Sequence, residues 1–344
     1  MSKTKKNFNN VIELVLVIIG SLIGAGFASG QEIYIFFYKS GKIGFVGIIL
    51  SISIISYVIF KVLKLVAEKN IDDYQKFLMV ISKNENSKFI KIMNIIINIL
   101  LLISFFVMIA GFGAYFEQEY NINSVIGSGV LAIICFLVLI NDIEGVIKIS
   151  KYIVPILIFI IMFIGILTIT NFEINKINIK SNFFTGVLNP VLYASYNLIM
   201  VIPVLITLKN KTEKREAKIA IFTGMVLFLL AISIMLLLVN TNLNISNTEM
   251  PAVYIVSKQF SELKNIYGII ILGAIFTTAI SLGISFLNNT TKAKNYPQIA
   301  SIMCITSVLF SKIGFSNLIN FLYPIFGIVG LLQIFLILKT KVKF

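Results

Sequence analysis

Ten long runs of apolar residues, separated by short polar stretches, dominate the chain. They do not alternate apolar and polar positions, as the strands of a membrane β-barrel would. Each approaches or exceeds the roughly 20 residues with which a helix crosses about 30 Å of hydrocarbon. The predicted spans are residues 11–38, 43–66, 88–116, 123–141, 146–170, 182–208, 215–240, 263–288, 296–312 and 316–338. The pattern predicts an all-α polytopic membrane protein with ten transmembrane helices.

The composition agrees with a chain that lies almost entirely in lipid. Of the 344 residues 58% are hydrophobic and 13% are charged, whereas soluble domains carry about 25% charged residues. Ten spans leave no room for a soluble domain, so residues 1–344 are expected to form a single transmembrane domain. Short helices are expected in the connections 69–87 and 241–262, the second with Pro251 in its first turn.

The distribution of positive charge predicts the orientation. Most of the 29 lysine and arginine residues fall on the side of the N-terminus, and such charges stay in the cytoplasm. Both termini are therefore expected in the cytoplasm, and topology explains the net charge of +14 better than nucleic-acid binding does. The basic residues 1–10 precede no Ala-x-Ala cleavage site, which indicates a retained tail rather than a signal peptide.

Two of the spans carry residues that interrupt helices. Residues 20–32, GSLIGAGFASGQE, hold four glycines, each of which weakens a helix by about 1 kcal/mol relative to alanine. The sixth span holds Pro190 and Pro203, and proline removes a backbone donor. Breaks at matching positions in two five-helix halves, 11–170 and 182–338, predict an inverted repeat with a binding site at the membrane midplane. The glycine spacing also fits a GxxxG helix-packing motif.

A broken helix in a membrane exposes main-chain polar groups, which is tolerated where they line a protected cavity. Free N–H groups at the start of a half-helix hold an anion such as a carboxylate, and free carbonyls at a half-helix end hold a cation. Glycine also lets a ligand approach the main chain closely. The break near residue 24 is therefore a candidate binding site.

The stretch GSLIGAGF, residues 20–27, resembles the first-helix signature of the amino acid–polyamine–organocation transporter superfamily, which has the LeuT-type fold. Extended to GSLIGAGFASGQEI, it resembles the YkvI-type bacterial membrane proteins. The resemblance implies a 5+5 inverted repeat with broken helices 1 and 6, in a bacterial cytoplasmic membrane. It implies that the substrate contacts Ile23, Gly24, Ala25, Gly26, Phe27, Tyr193, Ala194, Ser195 and Tyr115.

In that scheme the amides of Ala25, Gly26 and Phe27 face a substrate carboxylate, and carbonyls of the sixth span receive a substrate ammonium group. Tyr115 is a candidate lid over the site, although an aromatic residue near the end of a span is also typical of a membrane anchor.

The resemblance also implies candidate contacts for a coupling ion. Sodium-coupled members hold sodium between the first break, here with Gly20, and hydroxyl groups of the eighth span, here Thr278 and Ser281. In sodium-independent members a lysine of the fifth span takes the place of the ion, here Lys151. Two alternatives stay open, because the hydroxyls can bond to their own helix and the lysine can reach the interface. Sodium, a proton and no coupling ion are all compatible with the sequence.

Glu32 is an ionisable residue at membrane depth, which is a functional-site hypothesis by default. Proton binding, attraction of an amine substrate, pairing with Lys39 and a position at the membrane surface are the alternatives considered.

These features favour a secondary active transporter of a small amino acid or related amine or zwitterion, driven by an ion gradient. The alternative is a metabolite sensor of the same fold without net transport. An enzyme is not expected, because the chain has no histidine and no recognisable nucleophile motif. No cofactor is expected beyond a coupling sodium ion or proton. The expected partners are a small-molecule substrate and the lipid bilayer, without nucleic acid; the oligomeric state is not predicted. Cys135 and Cys304, inside apolar runs, are expected to be buried and reduced.

Overall fold

A computed structural model describes residues 3–82, 87–141, 144–169, 183–212, 215–290 and 295–342. Every regular element in those ranges is helical, which confirms the predicted all-helical class. The helices are α1 (Lys3–Leu22), α2 (Ala25–Ala28), α3 (Gln31–Phe36), α4 (Ile43–Glu68), α5 (Tyr74–Ser82), α6 (Ser87–Tyr120), α7 (Ser124–Asn141), α8 (Glu144–Ile169), α9 (Phe183–Thr207), α10 (Lys209–Thr212), α11 (Glu216–Val239), α12 (Pro251–Gln259), α13 (Lys264–Thr290), α14 (Tyr296–Ser311) and α15 (Phe315–Lys339).

The helices have the lengths and surfaces that a bilayer requires. In the described ranges, α4, α6, α9, α11, α13 and α15 are long and apolar enough to cross a membrane, and α1, α7, α8 and α14 hold shorter apolar helices. Large apolar side chains such as Phe183, Ile269 and Phe321 are exposed on the outside of the bundle, as expected of residues that face lipid. The short helices expected between spans are present as α5 and α12, and Pro251 is the first residue of α12.

The first apolar segment is broken twice. Ile23 and Gly24 leave the helical conformation between α1 and α2. A second break at Ser29 and Gly30 separates α2 from α3, and Gly30 has φ +80°, a left-handed conformation that favours glycine. The glycines therefore interrupt the segment as predicted, with an additional break that was not predicted.

The sixth span is not broken, and that prediction is wrong. The helix α9 runs without interruption from Phe183 to Thr207 with Pro190 and Pro203 inside it. Each proline removes one backbone hydrogen bond, which bends a helix but leaves the turns on either side intact. Packing also supports the helix, since Gly327 and Gly330 of α15 bring that helix against the α9 backbone.

Helix pairs that are five apolar segments apart pack on one another. These pairs are α1 with α9, α4 with α11, α6 with α13, and α7 with α14. The end of the bundle where α1 begins and α4, α13 and α15 end is named here the terminal face. The opposite end, which carries α12, is named the α12 face. At the terminal face the Lys61 ammonium group donates to the Leu338 carbonyl at 2.8 Å, joining the ends of α4 and α15.

Candidate functional site

The first break lies against α6 and α13. A Cβ atom added at Gly24 would lie 3.5 Å from the Met108 methyl carbon and 3.9 Å from the Thr278 methyl carbon. Gly24 is extended, with φ −98° and ψ −169°, and α2 begins at the next residue. The fold therefore brings the predicted break and a predicted hydroxyl of α13 into one place.

Glu32 lies in the first turn of α3 and is buried, with 2% of its surface exposed. Its carboxyl group accepts hydrogen bonds from the Tyr196 hydroxyl of α9 and from the Phe27 backbone amide of α2. A Cβ atom added at Gly26 would overlap the same carboxyl group. An internal carboxyl group therefore occupies the Phe27 amide, one of the three amides at which the sequence predicted a substrate carboxylate.

Aromatic rings surround this carboxyl group. The Tyr196 and Tyr323 rings have centroids 4.7 Å apart, and the Phe36 ring stacks on Tyr196 at 5.7 Å. Tyr193 meets Tyr196 edge to face at 5.5 Å. These rings and Glu32 are named here the Glu32 cluster. It joins α3 to α9 and α15, so a change at Glu32 acts on all three helices.

A cavity of about 1020 Å³ opens between the helices at the terminal face. Its walls come from α1, α6, α8, α9 and α13 and from the start of α5 with the two residues before it. Gly20, Ser21, Thr278 and Ser281 line it, and Met200 is its lining residue on α9 that lies closest in sequence to Tyr196. The cavity therefore reaches the region of the first break, while Glu32 is not among its lining residues.

The first segment is held on its other side by a set of contacts named here the closure. The Tyr267 hydroxyl donates to the Ala28 carbonyl at 2.7 Å, and the Ala252 amide of α12 donates to the Ser29 carbonyl at 2.8 Å. The Gln31 side-chain amide donates to the Ser316 hydroxyl at 3.0 Å. The first two bonds hold the Ala28 and Ser29 carbonyls to α13 and α12, and the third holds the start of α3 to α15. These contacts lie between the cavity and the α12 face.

The predicted substrate residues of α9 face neighbouring helices rather than the cavity. The Tyr193 ring meets Phe37 edge to face at 4.9 Å. Ala194 and Ser195 are fully buried, and the Ser195 carbonyl packs against Gly330 of α15. Ile23, Ala25 and Phe27 are also buried in this conformation. A substrate would reach these residues only after the helices move.

The remaining residues predicted to bind substrate or a coupling ion do not form one group in the structure. Tyr115 is buried, and its hydroxyl lies against Gly268 of α13. Gly20 packs against Val154 of α8. The Ser281 hydroxyl donates to the Thr277 carbonyl of its own helix at 2.9 Å. The Lys151 side chain lies outside the described part of the structure.

Several residues of the site were not selected from the sequence, namely Tyr196, Tyr323, Phe36, Tyr267 and Met108. Tyr196 directly follows the predicted substrate residues Tyr193, Ala194 and Ser195, but the sequence does not show that its side chain contacts Glu32. Lys39, considered as a partner for Glu32, lies instead over the Tyr34 ring at 5.1 Å. The two cysteines are free and buried, as predicted.

The cavity predicts which introduced thiols react. Ser285 is exposed to the cavity, whereas Ser307 of α14 is fully buried. We expect Ser285→Cys to react rapidly with a charged maleimide in detergent, and Ser307→Cys to react no faster than the parent protein with its two buried cysteines. Mass spectrometry after timed labelling measures both rates, and equal labelling of the two variants would contradict an open cavity.

Comparison with known proteins agrees with the fold. No family model matches the chain. The uncharacterized membrane protein YkvI of Bacillus subtilis (strain 168) is 28% identical, over 96% of this chain and 95% of its own. The protein YyaD of the same organism is 26% identical, over 92% and 93% of the two chains. A crystal structure of an Eremococcus coleocola manganese transporter mutant aligns with 98% of this chain and 80% of its own, at TM-score 0.63 and 12% identity. The chain is thus a membrane protein with a fold found in transporters rather than in enzymes.

Proposed function

We propose that the protein is a secondary active transporter of a small amino acid or related amine, working by alternating access and driven by an ion gradient. The observation that carries the proposal is the asymmetry around the first break. A large cavity extends from the terminal face as far as Ser21 and Thr278, next to the break, while the closure lies between the break and the α12 face. This is the arrangement of a transporter open to one side.

The packing of the helices supports a 5+5 inverted repeat as the basis of this movement. If the segment α1–α3 is paired with α9, and α4 to α8 with α11 to α15 in order, the contacts of one half recur in the other. The contact α9–α15 corresponds to α1–α8, α6–α7 to α13–α14, and α6–α15 to α8–α13. Likewise, α6–α14 corresponds to α7–α13, α4–α15 to α8–α11, and α4–α9 to α1–α11. The nine-residue helices α5 and α12 also occupy equivalent connections. We propose that residues 11–170 and 182–338 are the two repeats.

The charge distribution supports an orientation with the terminal face in the cytoplasm of a bacterial cell. At that face Asp72, in the loop before α5, binds the Lys209 ammonium group of α10 at 2.5 Å. This contact lowers the pKa of the exposed Asp72 carboxyl. The bond joins the first half of the chain to the second beside the cavity entrance, where the two must move relative to each other.

A metal ion is a less suitable substrate than an organic molecule. Mn²⁺ prefers carboxylate, carbonyl and water ligands, and the manganese transporter shares the fold at only 12% identity. In the described part of the chain no group of three histidine, cysteine, aspartate or glutamate residues is placed to hold a metal. We therefore propose an organic substrate with an amino group.

Uptake into proteoliposomes tests the proposal. A pool of labelled amino acids and amines is offered with a sodium gradient, with proton gradients of either direction, and with no gradient. We expect saturable uptake and accumulation with one of the ion gradients. Binding of a pool member, seen as thermal stabilisation, without any uptake would favour the sensor of the same fold.

A further inference from the structure

The internal carboxylate at the first break limits the chemistry of the substrate. The Phe27 amide at the start of α2 is already occupied by Glu32, and the Tyr196 hydroxyl binds the same carboxyl group. A substrate carboxylate would have to displace the Glu32 carboxyl group from both of these partners and leave it buried without them, which is unfavourable for a buried polar group. The position is therefore suited to a substrate that brings positive charge and no negative charge.

In the described part of the chain, the elements that pack most extensively on α3 place no fixed cation at Glu32. The charged residues of the helical elements packed against α3 are Lys39, Glu216, Lys218, Lys258 and Lys339. Lys39 lies over the Tyr34 ring, Lys258 over Tyr254, and Lys339 over a phenylalanine ring at the other end of α15. Glu216 and Lys218 are in the first turn of α11, whereas the later residue Ile234 meets the second break at Gly30. None of the described ion pairs includes Glu32.

The titratable groups that do face Glu32 are tyrosines, Tyr193 and Tyr196 from α9 and Tyr323 from α15. Ring faces attract ammonium groups, and the attraction is greatest where water is excluded. One carboxylate beside a cluster of aromatic rings is a combination that suits an organic ammonium ion. A proton is the other species that neutralises a buried carboxylate.

The cavity provides an independent indication of the same charge. The chain has 29 basic and 15 acidic residues, yet the charged residues in the described lining are Glu13, Asp72 and Asp73, all acidic. Acidic side chains in a cleft concentrate cations, and Asp72 contributes less to this effect because it binds the ammonium groups of Lys209 and Lys76. The remaining wall is largely apolar, with residues such as Leu16, Ile97 and Val204, and thus suits an organic body rather than a small hydrated ion.

We propose that the substrate is an organic monocation, an amine or quaternary ammonium ion with an apolar body, and that it competes with a proton for Glu32. The inference rests on the proposed transport function and names its substrate class. When the cation binds, the Glu32 O–H bond breaks and the proton leaves, so a neutral carboxyl group and a cation become a carboxylate–cation pair and a released proton. Transport is then the exchange of one cation for one proton.

Movement of α9 relative to α3 connects Glu32 with the cavity. Met200 lines the cavity and stands one helical turn after Tyr196, which binds Glu32. Shifting this turn opens the cluster to the cavity, and the carboxyl group then exchanges its proton for the cation. When neither the proton nor the cation is bound, Glu32 would be a charged carboxylate in an apolar environment. This cost disfavours the conformational change of the empty transporter, so a cation crosses only in exchange for a proton.

The sign of the lumenal pH change tests the exchange. Proteoliposomes containing a trapped pH dye, with equal pH on both sides and potassium with valinomycin to clamp the potential, are given external phenyltrimethylammonium. This probe is permanently charged and carries no acidic proton. We expect saturable uptake of labelled probe with alkalinisation of the lumen. Glu32→Gln, of nearly the same shape, should slow both by about a hundredfold, while Glu117→Gln on the exposed surface should leave them unchanged.

The possible outcomes separate the inference from the function on which it rests. Probe uptake with lumenal acidification or no pH change, or full activity of a folded Glu32→Gln variant, would overturn the exchange. Uptake of labelled zwitterionic amino acids without uptake of the probe would overturn the monocation while transport stands. If neither the probe, the amino acids nor the amines enter vesicles made with protein that elutes as a single folded species, the transport function itself fails.

Discussion

Replacing Gly26 with alanine is expected to reduce uptake to about one hundredth, in a protein that is still inserted and folded. The new Cβ would overlap the Glu32 carboxyl group and push it away from the Phe27 amide. Hydrogen bonds to charged groups contribute about 1.5–3 kcal/mol each, and a group left buried without its partner is further destabilised. The initial rate of substrate uptake, normalised to reconstituted protein, measures the effect.

Gly24→Ala is the matched control, because Gly24 lies two residues earlier, in the break that precedes α2. Its Cβ would meet the Met108 methyl carbon at 3.5 Å, an ordinary contact, and its backbone conformation is open to alanine. We expect uptake within about twofold of the parent protein for this variant. If Gly26→Ala transports as well as Gly24→Ala, the contact between Glu32 and the first break has no part in the mechanism. If both are inactive, the break tolerates no side chain and the effect is not specific to Glu32.

Much of the helical architecture could be predicted because it depends on local composition. The predicted span 43–66 corresponds to Ile43–Glu68 and the predicted span 215–240 to Glu216–Val239. A helix must satisfy its own backbone in lipid, so a long apolar run leaves few alternatives. The break at Gly24 was predictable for the same reason, since four glycines within a span weaken the helix directly.

The continuity of α9 was not predictable from its prolines alone. Pro190 suggested a break because the cost of a missing hydrogen bond is visible in the sequence. The opposing contribution is not visible there, because it comes from α15. Gly327 and Gly330 follow Pro190 by well over a hundred residues, and only the folded structure places them against Leu192 and Ser195.

The environment of Glu32 shows the same limit. Its depth in the membrane marked it as a candidate, but the partners considered were neighbours in sequence such as Lys39. The actual partner, Tyr196, is 164 residues away. Tyr323 comes from a third helix. Predicting that a carboxylate would fill the main-chain position expected to bind substrate requires the relative placement of α2, α3 and α9, which hydropathy does not provide.

The contact between α9 and α15 affects the geometry of the Glu32 cluster as well as the stability of the bundle. The two helices carry Tyr196 and Tyr323, whose rings pack together beside Glu32. Their close approach depends on glycine, because backbone carbonyls of α9 occupy the space that a side chain of α15 would need. Stability of the bundle and the geometry of the Glu32 cluster therefore depend on the same contact.

Gly330→Ala is accordingly expected to lower the midpoint of thermal unfolding by roughly 5 °C, because overpacking costs about 1–3 kcal/mol. The added methyl group would overlap the Ser195 carbonyl, which is backbone and yields less readily than a side chain. A dye that fluoresces on reaction with thiols measures the midpoint, since Cys135 and Cys304 are buried until the protein unfolds. Gly129→Ala, in α7 with nothing within 4 Å of the new atom, should leave the midpoint unchanged or raise it slightly. Equal midpoints for the two variants would mean that α9 and α15 do not meet through Gly330, and the arrangement of the Glu32 cluster would lose its support.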